Sequence, residues 1–123
     1  MKIIIDTHIF LWILTDPNRL TKNHIKLITS TSNTIYVSSV SIAEIAIKSS
    51  IGKLEFNYNP VELAINSGFE ILDFGGNDAL LLKDMPFHHK DPFDRMLIAQ
   101  AISNKYKIMT DDHKFKYYSC KLI

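Results

Sequence analysis

Apolar and polar positions alternate along this chain in two rhythms. Short runs dense in β-branched or apolar residues fall at Lys2–Asp6, Thr34–Ser38 and Lys107–Thr110 and read as buried strands. Phe69–Leu72 and Cys120–Ile123 are weaker strand candidates. Between these runs the spacing turns helical. Thr7–Leu14 is almost wholly apolar and predicts a buried helix. Thr21–Ser30 follows the turn Asp16-Pro17-Asn18, with Thr21 as its N-cap. Ser41–Ile51 places Ile42, Ile45 and Ala46 on one face and stops at Gly52, a C-terminal cap signal. Pro60–Asn66 opens on proline and ends before Gly68, and Asn77–Lys83 is another short helix. Phe93–Asn104 is the last long one, introduced by Asp91 as N-cap and Pro92 at the first helical position.

Strands alternating with helices require crossover connections. They predict an α/β fold, a parallel sheet with helices on both faces. A length of 123 residues suits a single domain over residues 1–123 with one packed core. Hydrophobic residues at 46% and charged residues at 22% argue against disorder. Leu54–Pro60 is a loose stretch, either an excursion or a partner-binding edge. Cys120 is the only cysteine, so no intrachain disulfide can form. That fits a reducing, cytoplasmic setting, with Cys120 as packing filler. Asp6, Thr7 and His8 interrupt the apolar start and no small-residue cleavage motif follows Leu14, so the start is not read as a secretory leader. No apolar run approaches the ~20 residues that span a bilayer.

A formal charge of +1 argues against a broad basic surface. Positive charge gathers locally, however: Lys105, Lys107, Lys114, Lys116 and Lys121 stand against two aspartates near the C-terminal end, with Tyr106, Phe115, Tyr117 and Tyr118 among them. The segment is either a solvated face or a phosphate-steering patch, and the interleaved aromatics favour nucleic acid.

Four acids change the picture most. Asp6 ends the first apolar run, and Glu44 lies inside Ile42-Ala43-Glu44-Ile45-Ala46-Ile47. Asp94 opens Asp94-Arg95-Met96-Leu97-Ile98-Ala99, and Asp112 follows the Lys107–Thr110 strand. A carboxylate at a buried element is costly unless it is paired or holds a metal. Open parallel sheets bind ligands outside the carboxyl ends of their strands, and all four acids have a topological reason to meet at that rim. Clustered carboxylates repel, and a divalent cation removes the problem. Mg²⁺ and Mn²⁺ suit oxygen ligands and activate water for attack on phosphorus. The chemistry suggested is phosphodiester hydrolysis.

Each acid also has a plainly structural reading. Asp6 can cap the helix that begins at Thr7, and Glu44 can pair with Lys48 four residues on. Asp94 can meet the positive end of a helix dipole three residues after Asp91, and Asp112 can start a short C-terminal helix. Ser38, Ser39 and Ser41 read as the cap of the Glu44 helix, the lesser alternative being a hydroxyl near the metal shell. Histidines 8, 24, 88, 89 and 113 lack zinc-site spacing, and His88-His89-Lys90-Asp91-Pro92 reads as a polar loop. Asp6-Thr7-His8 lacks the second aspartate of a phospho-aspartate phosphotransferase. Gly75-Gly76 is an isolated pair, not a phosphate-binding loop.

The same residues carry a resemblance. The chain resembles PIN domains, and closely the VapC-type toxins of prokaryotic toxin–antitoxin pairs. The matching pieces are Ile3-Ile4-Ile5-Asp6-Thr7-His8, Val37-Ser38-Ser39-Val40-Ser41-Ile42-Ala43-Glu44-Ile45-Ala46-Ile47-Lys48, Gly52-Lys53-Leu54, Asp91-Pro92-Phe93-Asp94-Arg95-Met96-Leu97-Ile98-Ala99-Gln100-Ala101 and Thr110-Asp111-Asp112. They span nearly the whole chain. The resemblance implies a three-layer α/β/α sandwich around a parallel sheet of about five strands. It implies a Mg²⁺- or Mn²⁺-dependent endoribonuclease, silenced by a cognate antitoxin and usually dimeric. Carried over by position, Asp6 and Asp94 are the principal metal ligands, Glu44 and Asp112 complete the catalytic set, and Thr110 orients it. Asp91 competes with Asp94, and Asp111 with Asp112. Arg95 and the C-terminal lysines are candidates for RNA contact, Arg95 having a structural alternative. The rival functions are a DNA-directed nuclease of the same fold and a non-catalytic nucleic-acid- or protein-binding module. The Thr7–Leu14 region with Trp12 belongs to the core or, with Thr21–Ser30, to a dimer surface.

Overall fold

A computed structural model describes every residue from Met1 to Ile123. Five strands, β1 (Lys2–Ile5), β2 (Thr34–Ser38), β3 (Glu70–Leu72), β4 (Lys107–Met109) and β5 (Lys121–Leu122), form one all-parallel sheet in the order β3-β2-β1-β4-β5. The weaker strand candidates are both strands, each trimmed to its paired residues. The first strand, β1, sits centrally, with Ile5 in register with Val37 on one side and Met109 on the other.

Strand periodicity sorts the core into two layers, because successive side chains leave opposite faces of the sheet. Ile3 and Ile5 pack with Ile35, Val37 and Met109 beneath the helices α1 (Thr7–Thr15), α2 (Lys22–Thr29), α3 (Ser39–Ser50) and α4 (Pro60–Asn66). Ile4 and Ile108 face the other way, against Leu97, Ile98 and Ala101 of α6 (Pro92–Asn104), with α5 (Gly76–Leu80) packed on α6. The result is the three-layer sandwich. Ile3, Ile4 and Ile5 are fully buried, each contributing about 1.5–3 kcal/mol relative to exposure. Gln100 is buried in α6, and its amide donates to the carbonyls of Leu72 and Asp73, tying that helix to the end of β3.

Local chemistry sets the helix ends. Thr21 Oγ1 accepts the His24 N–H at 3.0 Å, and Asp91 Oδ1 accepts those of Phe93 and Asp94 at 2.9 and 3.1 Å. Gly52 adopts φ +74° just beyond α3, where a side chain would be strained.

Four expectations need correction. The third helix begins at Ser39 rather than Ser41, because Ser38 serves as N-cap and its Oγ accepts the Val40 N–H. Its buried stripe runs through Val40, Ser41, Glu44 and Ile45, while Ala46 is exposed. In α1 only Thr7, Ile9 and Phe10 are buried, and Leu11–Leu14, Trp12 included, are half-buried. The Asn77–Lys83 helix divides into α5 and a 3-10 turn at Leu81–Lys83. Cys120 is half-buried against the α6 side of the core, as a filler would be.

Candidate metal centre

The chain winds outward from β1 to β2 and β3, then returns past β1 to β4 and β5. The turnaround point of the topology lies between β1 and β4, and the crevice outside their carboxyl ends is the natural ligand site of such a sheet. The Asp6 N–H continues the ladder to the Met109 carbonyl at 3.0 Å, which sets Asp6 beside Thr110 at that crevice.

Four elements each deliver one carboxylate there. Asp6 ends β1, Glu44 comes from the second turn of α3, Asp94 from the first turn of α6, and Asp112 follows β4. Asp6 is 2% exposed and Glu44 3%. All the structural readings hold at once, but most engage only one oxygen of each acid. Asp6 Oδ1 accepts the Ile9 N–H at 2.8 Å, capping α1, while Oδ2 accepts the Thr110 hydroxyl at 2.5 Å. Glu44 Oε2 meets Lys48 Nζ at 2.6 Å, while Oε1 is buried with no hydrogen-bond partner in the protein. Asp112 Oδ1 accepts the Lys114 N–H at 2.9 Å and caps a 3-10 turn over His113–Tyr117. Thr110 Oγ1 also accepts the Asp112 N–H at 3.0 Å, so one hydroxyl couples two of the acids.

Electrostatics record the convergence. Burial pushes the Asp94 carboxyl up to about 8, helped by the negative charges of Asp91, Asp6, Glu44 and Asp112. Burial likewise raises Asp6, against the hydrogen bonds from Thr110 and Ile9. Partial burial pushes Asp112 upward too, but the Lys114 N–H and the His89 ring outweigh it and hold the carboxyl below its ordinary value. Lys48 is raised, first by its hydrogen bond to Glu44 and further by the charges of Glu44, Asp91 and Asp94.

The two residues that compete in sequence separate here. Asp91 spends Oδ1 on two N–H groups of α6 as its N-cap, whereas Asp94 faces the other acids. Asp111 is exposed and, with Asp6, His8, Trp12 and Asp112, lines a shallow cleft of about 190 Å³. A second cleft, about 240 Å³, carries Thr7, His8, Glu44, Lys48 and Lys53. The largest cavity, about 420 Å³ around Met85, Pro86, Ile102 and Tyr118, lies away from these acids and holds one acid, Asp84. Its lining offers none of the convergent charge that distinguishes the smaller clefts.

Arg95 takes its structural alternative. It is 7% exposed, its guanidinium donates to the Pro86 and Met85 carbonyls at 2.8 and 3.3 Å, and it lies over the Phe87 ring. Lys105, Lys114, Lys116 and Lys121 are exposed. Sequence reasoning missed His89. It is buried, with Nε2 2.7 Å from Asp112 Oδ2 and 3.1 Å from Asp94 Oδ2. No periodicity marks a loop residue that turns inward.

The donor set fits a divalent cation. The acids offer hard oxygens, Glu44 Oε1 is buried without a partner, and Asp94 is burdened by burial and by like charge that a cation would relieve. A crevice at the turn of a parallel sheet, walled by carboxylates, marks an α/β protein with its ligand site at the carboxyl ends of the strands.

Sequence comparison makes this specific. A family model described as the PIN domain matches residues 3–119, and the chain belongs to that family. PIN domains are generally nucleases. No curated protein matches the chain. Solved structures share the fold. VapBC2 from Rickettsia felis, bound to a promoter DNA fragment, is 22% identical with a TM-score of 0.76, covering 100% of this chain and 98% of that one. DNA-bound VapBC from Salmonella typhimurium is 21% identical with a TM-score of 0.64, covering 100% and 97%. The PIN domain endonuclease Utp24 is 18% identical with a TM-score of 0.51, covering 94% and 74%.

Proposed function

We propose that this chain is a Mg²⁺- or Mn²⁺-dependent endoribonuclease of the VapC type, the toxin of a toxin–antitoxin pair. The observation that carries the reading is the meeting of Asp6, Glu44, Asp94 and Asp112, drawn from four separate elements, at the turning point of the sheet. Asp6 and Asp94 are the principal ligands, with Glu44 and Asp112 completing the site. When bound, the cation supplies an activated water and neutralises charge on the leaving oxygen.

The chain's own groups prepare the site. Thr110 fixes the Asp6 carboxylate, and Lys48 holds one Glu44 oxygen so that the other stays available. Exposed Lys114 and Lys116 flank the rim beyond Asp112 and can draw a phosphate backbone toward it. The resemblance to VapC proteins supports RNA as substrate, a cognate antitoxin as partner, a homodimer or toxin–antitoxin hetero-oligomer as the assembly, and action in the cytoplasm. No helix is long and apolar enough to cross a membrane.

The test uses antitoxin-free protein and its Asp6→Asn variant on RNA and DNA in parallel with Mg²⁺ or Mn²⁺. Cleavage of RNA, dependent on the ion and lost in the variant, is the expected result. Unchanged cleavage in the variant refutes the assignment, and preference for DNA transfers it to the rival substrate.

A further inference from the structure

The role of His89 follows from what each of its ring nitrogens faces. Its loop is braced from both sides. The His89 N–H donates to the Tyr118 hydroxyl at 2.8 Å, and that hydroxyl donates to the Pro86 carbonyl at 2.9 Å. Arg95 holds the Met85 and Pro86 carbonyls, and the His89 ring packs edge-on against Phe115, centroids 5.9 Å apart. The imidazole is therefore fixed rather than free to swing.

Nε2 and the facing oxygens of Asp94 and Asp112 all lie within 4.8 Å of one another, a spacing that would let the three share a metal ion. The other nitrogen argues against that. The Asp91 N–H donates to His89 Nδ1 at 3.1 Å. An amide N–H can only donate, so Nδ1 presents its lone pair to Asp91 and the ring proton resides on Nε2. The face turned toward the carboxylates carries N–H, not a lone pair.

We infer that His89 is a positioning residue of the acidic centre and not a metal ligand: its Nε2–H donates to Asp112 Oδ2 and stands 3.1 Å from Asp94 Oδ2, and so sets both carboxylates for the cation. The inference rests on the metal-dependent reading above. Asp94 Oδ2 lies 3.1 Å from His89 Nε2, within reach of its N–H dipole. With the Lys114 N–H, the His89 ring gives each Asp112 oxygen one hydrogen-bond partner, placing that acid at the edge of the site. Hydrogen bonds of this kind orient ligating carboxylates, and losing them weakens metal binding by about 10- to 100-fold.

The test combines tautomer and affinity. Two-bond ¹H–¹⁵N spectra of the metal-free wild type should show the His89 proton on Nε2. Calorimetric titration with Mn²⁺ should show affinity reduced about 10- to 100-fold in His89→Ala and largely recovered in His89→Gln, whose amide offers an N–H at similar reach. Thermal melts establish that both variants fold; should the alanine variant not fold, the tautomer and the glutamine variant decide. A proton on Nδ1, or a glutamine variant as weak as alanine, overturns the positioning role in favour of ligation. Equal affinity in wild type and His89→Ala overturns it outright. Absence of saturable Mn²⁺ binding in wild type instead overturns the metal-dependent reading, and this inference with it.

Discussion

The inner wall of the site and its rim hold carboxylates of the same charge in opposite states. On the inner wall, Asp94 is pushed up to about 8 and Glu44 keeps an unpartnered buried oxygen. On the rim, Asp112 has a hydrogen bond to each oxygen and sits below its ordinary value. Both acids reach the same imidazole nitrogen, so neighbourhood alone does not separate them. What separates them is burial and how many N–H groups the protein supplies. Asp94 and Glu44 are buried and short of N–H partners, whereas Asp112 is more exposed and has one on each oxygen.

The sharpest way to break this contrast is to neutralise one acid at a time. A carboxyl whose folded pKa lies above its unfolded value holds a proton that the unfolded chain has released, so its ionisation costs stability as pH rises from 3.8 toward about 8. Asp94→Asn should therefore stabilise the metal-free protein at pH 8, by about 4 °C or more in melting temperature, while lowering cleavage at least ~10³-fold. Asp112→Asn should do the reverse for stability. Its lowered carboxyl contributes above 3.8 and loses that contribution as pH falls through its folded value, and removing the charge forfeits the contribution while asparagine still caps the turn. Thermal melts across pH decide; if both variants shift in the same direction, the contrast between wall and rim does not exist.

A smaller effect should appear with the ion itself. The proton on Asp94 competes with metal below about 8, so apparent Mn²⁺ affinity should fall by about tenfold per pH unit on acidification. Saturating Mn²⁺, at ~100 times its dissociation constant, should add about 2.7 kcal/mol of stability. An affinity independent of pH between 6 and 8, within about twofold, would contradict a raised Asp94. The smallest change belongs outside the rim: Lys114→Gln and Lys116→Gln should weaken RNA binding modestly, each reducing the salt-dependence slope by about 1. An unaltered slope would make these lysines a solvated face.

Sequence made the strands and most helix ends legible because those depend on neighbours a few residues away. Asp91-Pro92 announced the start of α6, and Ile3-Ile4-Ile5 announced a strand buried on both faces. The strand order was not legible, since nothing local says that β1 lies between β2 and β4. Glu44 was harder still. Helical spacing favours Ala46 for the buried stripe, yet the stripe includes Glu44, because that face turns toward the acids and not only toward the core. His89 was hidden for a different reason. Its inward turn depends on Tyr118 and on Arg95, partners outside its own loop, so the His88–Pro92 segment reads only as polar.

The bond between Thr110 and Asp6 joins positions 104 residues apart. Its consequence is temporal. While the ribosome has released only the first part of the chain, β1 has β2 to pair with but no β4, and Asp6 has neither the Met109 carbonyl for its N–H nor Thr110 for its carboxylate. Asp112 arrives later than both. A chain proposed to cut RNA thus emerges from its own messenger without a finished blade, and becomes competent only once β4 and the residues that follow it have emerged.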